Sequence, residues 1–247
     1  MSGKTQETTS ECTGQLHPVL GSKFQGTARS LIYCSASMGK RTRNSLGSDA
    51  DHSLVVLLLI DVINDFQFVG SEDLLRPALK AATNIAALKR RAKLAGIPAV
   101  YVNDNFGKWR SDFKKLVDNS LDNQAPGKPI VELLLPEPED YFVLKPKHSG
   151  FYATPLDMLL KYLGAKILIL TGLAADNCIL ATAADAHMLD YDLVVPRDCV
   201  AAATEAQKRH ALELIDKTLD GRTTRGRDLK LNVLTRGHLP QRPRQSR

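Results

Sequence analysis

Residues 54–60 read Leu-Val-Val-Leu-Leu-Leu-Ile and are followed directly by Asp61. No polar residue interrupts this run, so it predicts a central strand that is covered on both faces of a sheet. Four more segments of strand length follow, at residues 97–102, 141–145, 165–170 and 191–196. Apolar strands that alternate with helical stretches predict a parallel sheet in an α/β fold.

Helical patterns fill the gaps between these strands. Between Ala78 and Ala92, apolar residues recur at spacings of three and four, which predicts the first crossover helix. Pro77 suits the first turn of that helix, and Gly96 suits its end. Further helices are expected at residues 155–163, 177–189 and 204–217. The predicted fold is a Rossmann-like three-layer sandwich, with a mostly parallel central sheet flanked by helices.

The ends of the 247-residue chain differ from its middle in composition and charge. Residues 1–50 carry a net charge of +3, residues 51–221 one of −4, and residues 222–247 one of +7. We expect residues 1–52 to form a disordered N-terminal extension, because their polar composition cannot bury enough apolar area. Residues 53–221 should form one folded domain, followed by a basic C-terminal tail over residues 222–247.

Two segments near the ends of the chain have alternative interpretations. The apolar patch LKLNVL at residues 229–234 could pack either on the domain or on a partner subunit. Met38 opens the segment MGKRTRNSLG shortly before the first strand, and a translation start at this residue is a hypothesis.

Composition also bounds the partners and the compartment. The overall charge of +6 lies in the ends, where basic segments are usually solvated, so nucleic-acid binding is not predicted. The apolar run 54–60 is far shorter than the ~20 residues of a membrane-spanning helix, so we expect no membrane partner. Four cysteines without CxxC spacing indicate reduced thiols and a cytoplasmic protein.

Three reactive side chains follow predicted strands. Asp61 follows the first strand, Lys145 ends the third, and Cys178 lies just past the fourth, at the start of a helix. Ligand sites in open parallel sheets lie beyond the carboxyl ends of the strands. A helix N-terminus and a nearby ammonium group both favour the thiolate, and Asp61 could accept the thiol proton.

Each of these residues also has an ordinary structural interpretation. A small cysteine in a loop often serves packing, which is how we interpret Cys199, and an Asp after a strand often caps the next element. Lys145 alone could be a surface residue, with Lys147 as a competitor for its role. The combination of all three predicts a cysteine-dependent acyl transfer or hydrolysis.

Separate motifs give the chain a family resemblance. LLLIDVINDF (57–66), KPKHSGFYAT (145–154) and GLAADNC (172–178) occur in the order and spacing typical of isochorismatase-like cysteine hydrolases. The chain resembles this family over residues 54–217. The family includes nicotinamidases, N-carbamoyl amide hydrolases and related amidases beside isochorismatases.

The resemblance implies a role for each reactive residue. Asp61 matches the family's acid/base Asp, Cys178 its nucleophile, and Lys145 its catalytic Lys, since the family lysine lies four residues before the motif serine. It further implies a cis peptide bond between Leu173 and Ala174, and an oxyanion hole formed by the backbone N–H groups of Ala174 and Cys178. Phe66 matches a phenylalanine that lines the family's pocket.

Departures from the family pattern narrow the expected chemistry. Val62 or Ile63 replaces a motif glutamine, which leaves catalysis possible. The six histidines show no ligand spacing, and the Asp-x-His segment of metal-binding nicotinamidases is absent, so we expect no metal and no other cofactor. Retention of Cys178 favours an amide or related acyl substrate.

Specificity is expected from the segment after the second strand. Asn105, Phe106 and Trp109 lie just past its carboxyl end, beside the expected crevice. Trp109 could equally pack in the core or at a subunit contact. Asn103 and Asp104 are interpreted as a turn.

Three hypotheses follow, and the first is preferred. The protein is a cysteine hydrolase that cleaves a C–N bond of a small amide or carbamoyl substrate through a thioester, and it forms a homo-oligomer. Alternatively, Asp61 acts as the acid in isochorismatase-type hydrolysis of a vinyl ether and Cys178 is dispensable. A third reading is a catalytically silent binding protein of the same fold.

Overall fold

A computed structural model of the protein describes residues 52–107 and 112–239. Six parallel strands form the central sheet, in the order β3-β2-β1-β4-β5, and β6 pairs with the end of β4. The strands are β1 (Val55–Ile60), β2 (Ala99–Asp104), β3 (Tyr141–Lys145), β4 (Ile167–Leu173), β5 (Asp192–Val194) and β6 (Val200–Ala201). The helices are α1 (Ser71–Leu94), α2 (Phe113–Ser120), α3 (Lys128–Leu133), α4 (Leu156–Leu163), α5 (Leu180–Met188), α6 (Glu205–Lys217) and α7 (Leu231–Leu234).

The predicted fold class is confirmed, with differences in detail. The five predicted strands are present, but β2 and β4 start and end two to three residues later than expected. The strand β6 and the helices α2, α3 and α7 were not predicted. Of these, β6, α3 and α7 have only 2, 6 and 4 residues, which carry little periodic signal. Helix α1 begins at Ser71 instead of near Pro77, since Glu72 and Asp73 favour its N-terminus.

The strand β1 lies at the centre of two hydrophobic layers. All six of its side chains are fully buried. Val55, Leu57 and Leu59 face a layer that includes α1, whereas the alternate residues face a layer built with α4, α5 and α6. This two-sided burial explains why the strand has no polar positions.

The C-terminal segment belongs to the folded domain as far as residue 239. Leu229, Leu231 and Leu234 are buried in the layer that contains α1, and Arg91 of α1 donates hydrogen bonds to two carbonyl groups of this segment. The LKLNVL patch therefore packs on the domain, and the predicted boundary at residue 221 is too early. The predicted N-terminal extension, apart from His52, and Met38 lie outside the described residues, as do residues 240–247.

No helix within the described residues is long and apolar enough to cross a membrane.

The backbones of β1 and β4 approach closely near the carboxyl edge. Gly172 has φ of 116°, a conformation that side chains with a Cβ rarely adopt. A Cβ at this position would lie 2.0 Å from the carbonyl oxygen of Ile60, the residue before Asp61. Only glycine allows the two strands to pair here without a shift of the backbone.

We expect Gly172→Ala to lower the free energy of unfolding by about 2 to 5 kcal/mol, because strain and overpacking add. Gly96→Ala is the matched control, since Gly96 also has positive φ (69°) but nothing within 4 Å of the added Cβ. It should cost only about 1 kcal/mol. Urea unfolding measures both values, and equal losses would mean that the contact with Ile60 is unimportant.

Candidate active site

Three side chains from distant parts of the sequence meet at the carboxyl edge of the sheet. Asp61 follows β1, Lys145 is the last residue of β3, and Cys178 lies in the π-helical turn Ala175–Ile179 that leads into α5. The Lys145 Nζ lies 2.9 Å from Oδ2 of Asp61 and 3.4 Å from Sγ of Cys178. The structure therefore brings the predicted triad together.

Lys145 is the most enclosed member of the group. Its exposed fraction is 0%, compared with 7% for Asp61 and 9% for Cys178. Its Nζ also donates to the backbone carbonyl of Lys147 at 3.2 Å. The side chain of Lys147 is exposed, so Lys145 is the lysine in the site.

The backbone holds the Asp61 carboxylate in place. Asp61 has a left-handed conformation, with φ of 52°, at the end of β1. Its Oδ1 accepts a hydrogen bond of 2.7 Å from the backbone N–H of Asp104, the last residue of β2. The carboxylate is thus tied to the neighbouring strand while its other oxygen contacts Lys145.

The resting form of Cys178 is the thiol. Burial, together with the negative charge of Asp61, raises the pKa of the thiol to about 12. The charge of Lys145 acts in the opposite direction but is outweighed. Lys145 thus acts in the direction that the sequence predicted, and desolvation exceeds its effect.

Burial also affects the two charged members. It raises the pKa of Asp61, although the nearby Lys145 opposes this shift. Burial alone would lower the pKa of Lys145, but the charge of Asp61, its hydrogen bond to Lys145 and the charge of Asp104 outweigh burial and raise this pKa. A carboxyl group with a raised pKa beside a thiol can accept a proton and later release it.

Sequence reasoning missed the role of the loop after β3. The Nδ1 atom of His148 lies 4.0 Å from the Cys178 sulfur. The sequence did not indicate this contact, because the histidines show no ligand spacing. Ser149 donates to Asp185 of α5 at 2.5 Å, and the N–H of Gly150 donates to Thr182 at 3.0 Å. These bonds fasten the loop that follows Lys145 to the helix that follows Cys178.

Asp104 was also missed as a site residue. It belongs to β2, where it pairs with Lys145, and not to the predicted turn. Its Oδ2 lies 3.5 Å from the Lys145 Nζ. The only signal in the sequence was its place near the end of a strand, which the prediction ended two residues too early.

The Leu173–Ala174 peptide bond is trans, as are all bonds in the described part of the chain, so the predicted cis bond is wrong. Leu173 still belongs to β4 and pairs with Ala201 of β6. Ala174 is extended, with φ of −86° and ψ of 147°. Extended backbone therefore continues from β4 to the helical turn that carries Cys178.

The predicted substrate-binding residues differ in their surroundings. Phe66 is buried in the layer that includes α1, whereas Asn105 is half-buried and Phe106 is 41% exposed. Trp109 lies outside the described residues. The roles of these residues, and the expectation that no metal or cofactor takes part, remain predictions.

Comparison with known proteins assigns the class. The family model "Isochorismatase domain" matches residues 55–224, and the chain belongs to this family of hydrolases.

Individual relatives agree with this assignment. The "Uncharacterized isochorismatase family protein YaaI" of Bacillus subtilis is 36% identical over 163 residues, which cover 66% of this chain and 89% of YaaI. The structure of an isochorismatase family protein from Desulfovibrio vulgaris is 27% identical, with a TM-score of 0.58, covering 74% of this chain and 96% of that one. N-carbamoylsarcosine amidase from Thermoplasma acidophilum is 25% identical, with a TM-score of 0.56, covering 71% and 98%.

We expect Lys145→Met to destabilise the protein by about 3 to 5 kcal/mol at neutral pH, because it leaves the buried Asp61 carboxylate without a positive charge beside it. Removing Lys145 also raises the pKa of Asp61 further. A raised folded-state pKa favours the folded state at low pH, and this contribution is lost as the pH rises. The destabilisation should therefore shrink between neutral pH and pH 5.

The double variant Asp61→Asn/Lys145→Met is the control, since it removes both charges. It should be clearly more stable than Lys145→Met alone at neutral pH. Urea unfolding at several pH values gives the comparison. A double variant as unstable as the single one would show that the ion pair is not what stabilises Asp61.

Proposed function

We propose that the protein is a cysteine hydrolase that cleaves a C–N bond of a small amide or carbamoyl substrate through a thioester intermediate. The observation that carries the proposal is the contact of one buried ammonium group with both a carboxylate and a thiol, at 2.9 and 3.4 Å. This arrangement combines a nucleophile with a base that can receive its proton.

In the first half of the reaction, Asp61 takes the proton of the Cys178 thiol. The sulfur forms a bond to the substrate carbonyl carbon, and the carbonyl π electrons move to the oxygen. Asp61 then gives its proton to the leaving nitrogen, the C–N bond breaks, and the amine or ammonia departs. Lys145 keeps one positive charge beside the proton exchange between Asp61 and Cys178, which stabilises whichever of the two is anionic.

In the second half, water hydrolyses the thioester. Asp61 removes a proton from the water, the oxygen attacks the carbonyl carbon, and the C–S bond breaks. The proton then returns from Asp61 to the departing thiolate, which restores the resting thiol. For a carbamoyl substrate this hydrolysis releases a carbamate, which loses carbon dioxide in water.

The backbone N–H groups of Ala174 and Cys178 are the proposed oxyanion donors. Cys178 lies in a helical turn at the N-terminal end of α5, where N–H groups and the helix dipole favour negative charge. One such donor can contribute roughly 10²-fold or more to the rate. Phe66, Asn105, Phe106 and Trp109 are proposed to line the substrate pocket.

The proposal includes a cytoplasmic setting and a homo-oligomer. A nucleophilic thiol must stay reduced, which a cytoplasmic environment supports. Large apolar side chains are exposed on β3 and α4 and offer a surface for a second copy of the chain; they are Phe142, Met158 and Tyr162.

The experiment is a screen of neutral, cationic and anionic amides and carbamoyl compounds, with release of amine or ammonia as the readout. For any substrate found, Cys178→Ala should lower kcat by about 10⁴-fold or more, because the variant cannot form the thioester. Cys199→Ala is the matched control and should keep wild-type turnover. Cys199 is also buried but lies next to Asp198, away from Lys145.

Other outcomes select the remaining hypotheses. Turnover of a vinyl ether that survives Cys178→Ala but is lost in Asp61→Asn would identify isochorismatase-type chemistry. Wild-type turnover of an amide by Cys178→Ala would contradict the thioester mechanism. An inert protein that binds a ligand at this site without turnover would favour the silent binding protein.

A further inference from the structure

A second carboxylate, that of Asp104, stands at the entrance of the site. Its side chain is 29% exposed, whereas that of Lys145 beside it is fully buried. Oδ2 of Asp104 lies 3.5 Å from the Lys145 Nζ, and the backbone N–H of the same residue donates to Asp61. Asp104 therefore lies beside the reacting groups and also reaches solvent.

The Oδ2 atom of Asp104 can accept a further hydrogen bond. Oδ1 accepts the backbone N–H of Phe106 at 2.6 Å, which folds the chain back after β2. Among the described residues, Oδ2 has only the long contact with Lys145. An ionised carboxylate oxygen can accept two hydrogen bonds, so Oδ2 can accept one from a ligand.

The charges around the sulfur do not cancel. With Cys178 as the thiol, one ammonium group faces two carboxylates, which leaves one net negative charge at the site. The nearby side chain of Lys147 is exposed, where solvent screens its charge. A ligand that brings a further negative charge to this place is repelled, and one with N–H donors or a positive charge is attracted.

We propose that Asp104 is a specificity residue that selects neutral or cationic substrates with N–H groups next to the scissile carbonyl, and rejects substrates with a carboxylate there. The inference rests on the proposed function, since it assumes that the substrate carbonyl reaches Cys178. It narrows the substrate class to N–H-rich amides and carbamoyl compounds, and it argues against dianionic vinyl ethers such as isochorismate.

The charge preference can be measured without a known substrate. Iodoacetamide and iodoacetate both alkylate a thiol: the sulfur bonds to the CH₂ carbon, iodide leaves, and the thiol proton passes to a base. The two reagents are similar in size and differ by one negative charge. Peptide mapping gives the two labelling rates of Cys178 at low ionic strength, each divided by the rate with a small free thiol.

The wild-type protein should prefer iodoacetamide. Asp104→Asn should reduce this preference by about 3- to 10-fold, because it removes one charge near the sulfur while keeping an oxygen for the Phe106 N–H. Asp104→Glu should retain the preference. Asp192→Asn is the matched control, since the exposed Asp192 begins β5 at the opposite edge of the sheet, and it should leave the ratio within about 2-fold.

The outcomes distinguish the role of Asp104 from the proposed cysteine hydrolase function. A ratio that Asp104→Asn leaves unchanged, with Cys178 labelled normally, overturns the role of Asp104 but leaves the proposed function in place. Failure of both reagents to label Cys178 in the wild-type protein overturns the proposed function and this inference together. A preference that weakens in high salt supports an electrostatic origin.

Discussion

The buried ion pair of Asp61 and Lys145 is the interaction on which the site depends. Asp61 follows β1 and Lys145 ends β3. These two strands are not neighbours, because β2 lies between them. Asp104, at the end of β2, contacts both of them, through its N–H to Asp61 and through its carboxylate to Lys145. Burying two charges costs several kcal/mol per ion unless geometry and hydrogen bonds are good. The carboxyl ends of β1, β2 and β3 must therefore be aligned so that these contacts can form.

The ion pair also determines how the thiol can react. A thiol whose pKa is about 12 is almost entirely protonated at neutral pH. Its activation therefore requires a nearby acceptor, and the raised pKa of Asp61 makes this transfer less unfavourable than it would be for an ordinary carboxylate. Lys145 stays positive on both sides of the transfer. The same burial that suppresses the free thiolate thus prepares the residue that can take its proton.

The sequence sufficed to predict the α/β fold and the meeting of Asp61, Lys145 and Cys178, because strand ends can be located from apolar runs and parallel strands end at one edge. The site role of Asp104 could not be predicted, since it depends on a strand end that periodicity places only to within a few residues. The trans bond before Ala174 and the protonated thiol depend on local backbone geometry and burial. The spacing of motifs contains no information on local backbone geometry or on burial.

Proton transfer from Cys178 to Asp61 is the central claim, and the pH dependence of Cys178 alkylation by iodoacetamide tests it most directly. In the wild-type protein the proton can move to Asp61, so the labelling rate should be nearly constant between about pH 6 and 8. In Asp61→Asn the proton must go to solvent, and the rate should rise about tenfold per pH unit. A tenfold rise per pH unit in the wild-type protein as well would contradict the transfer.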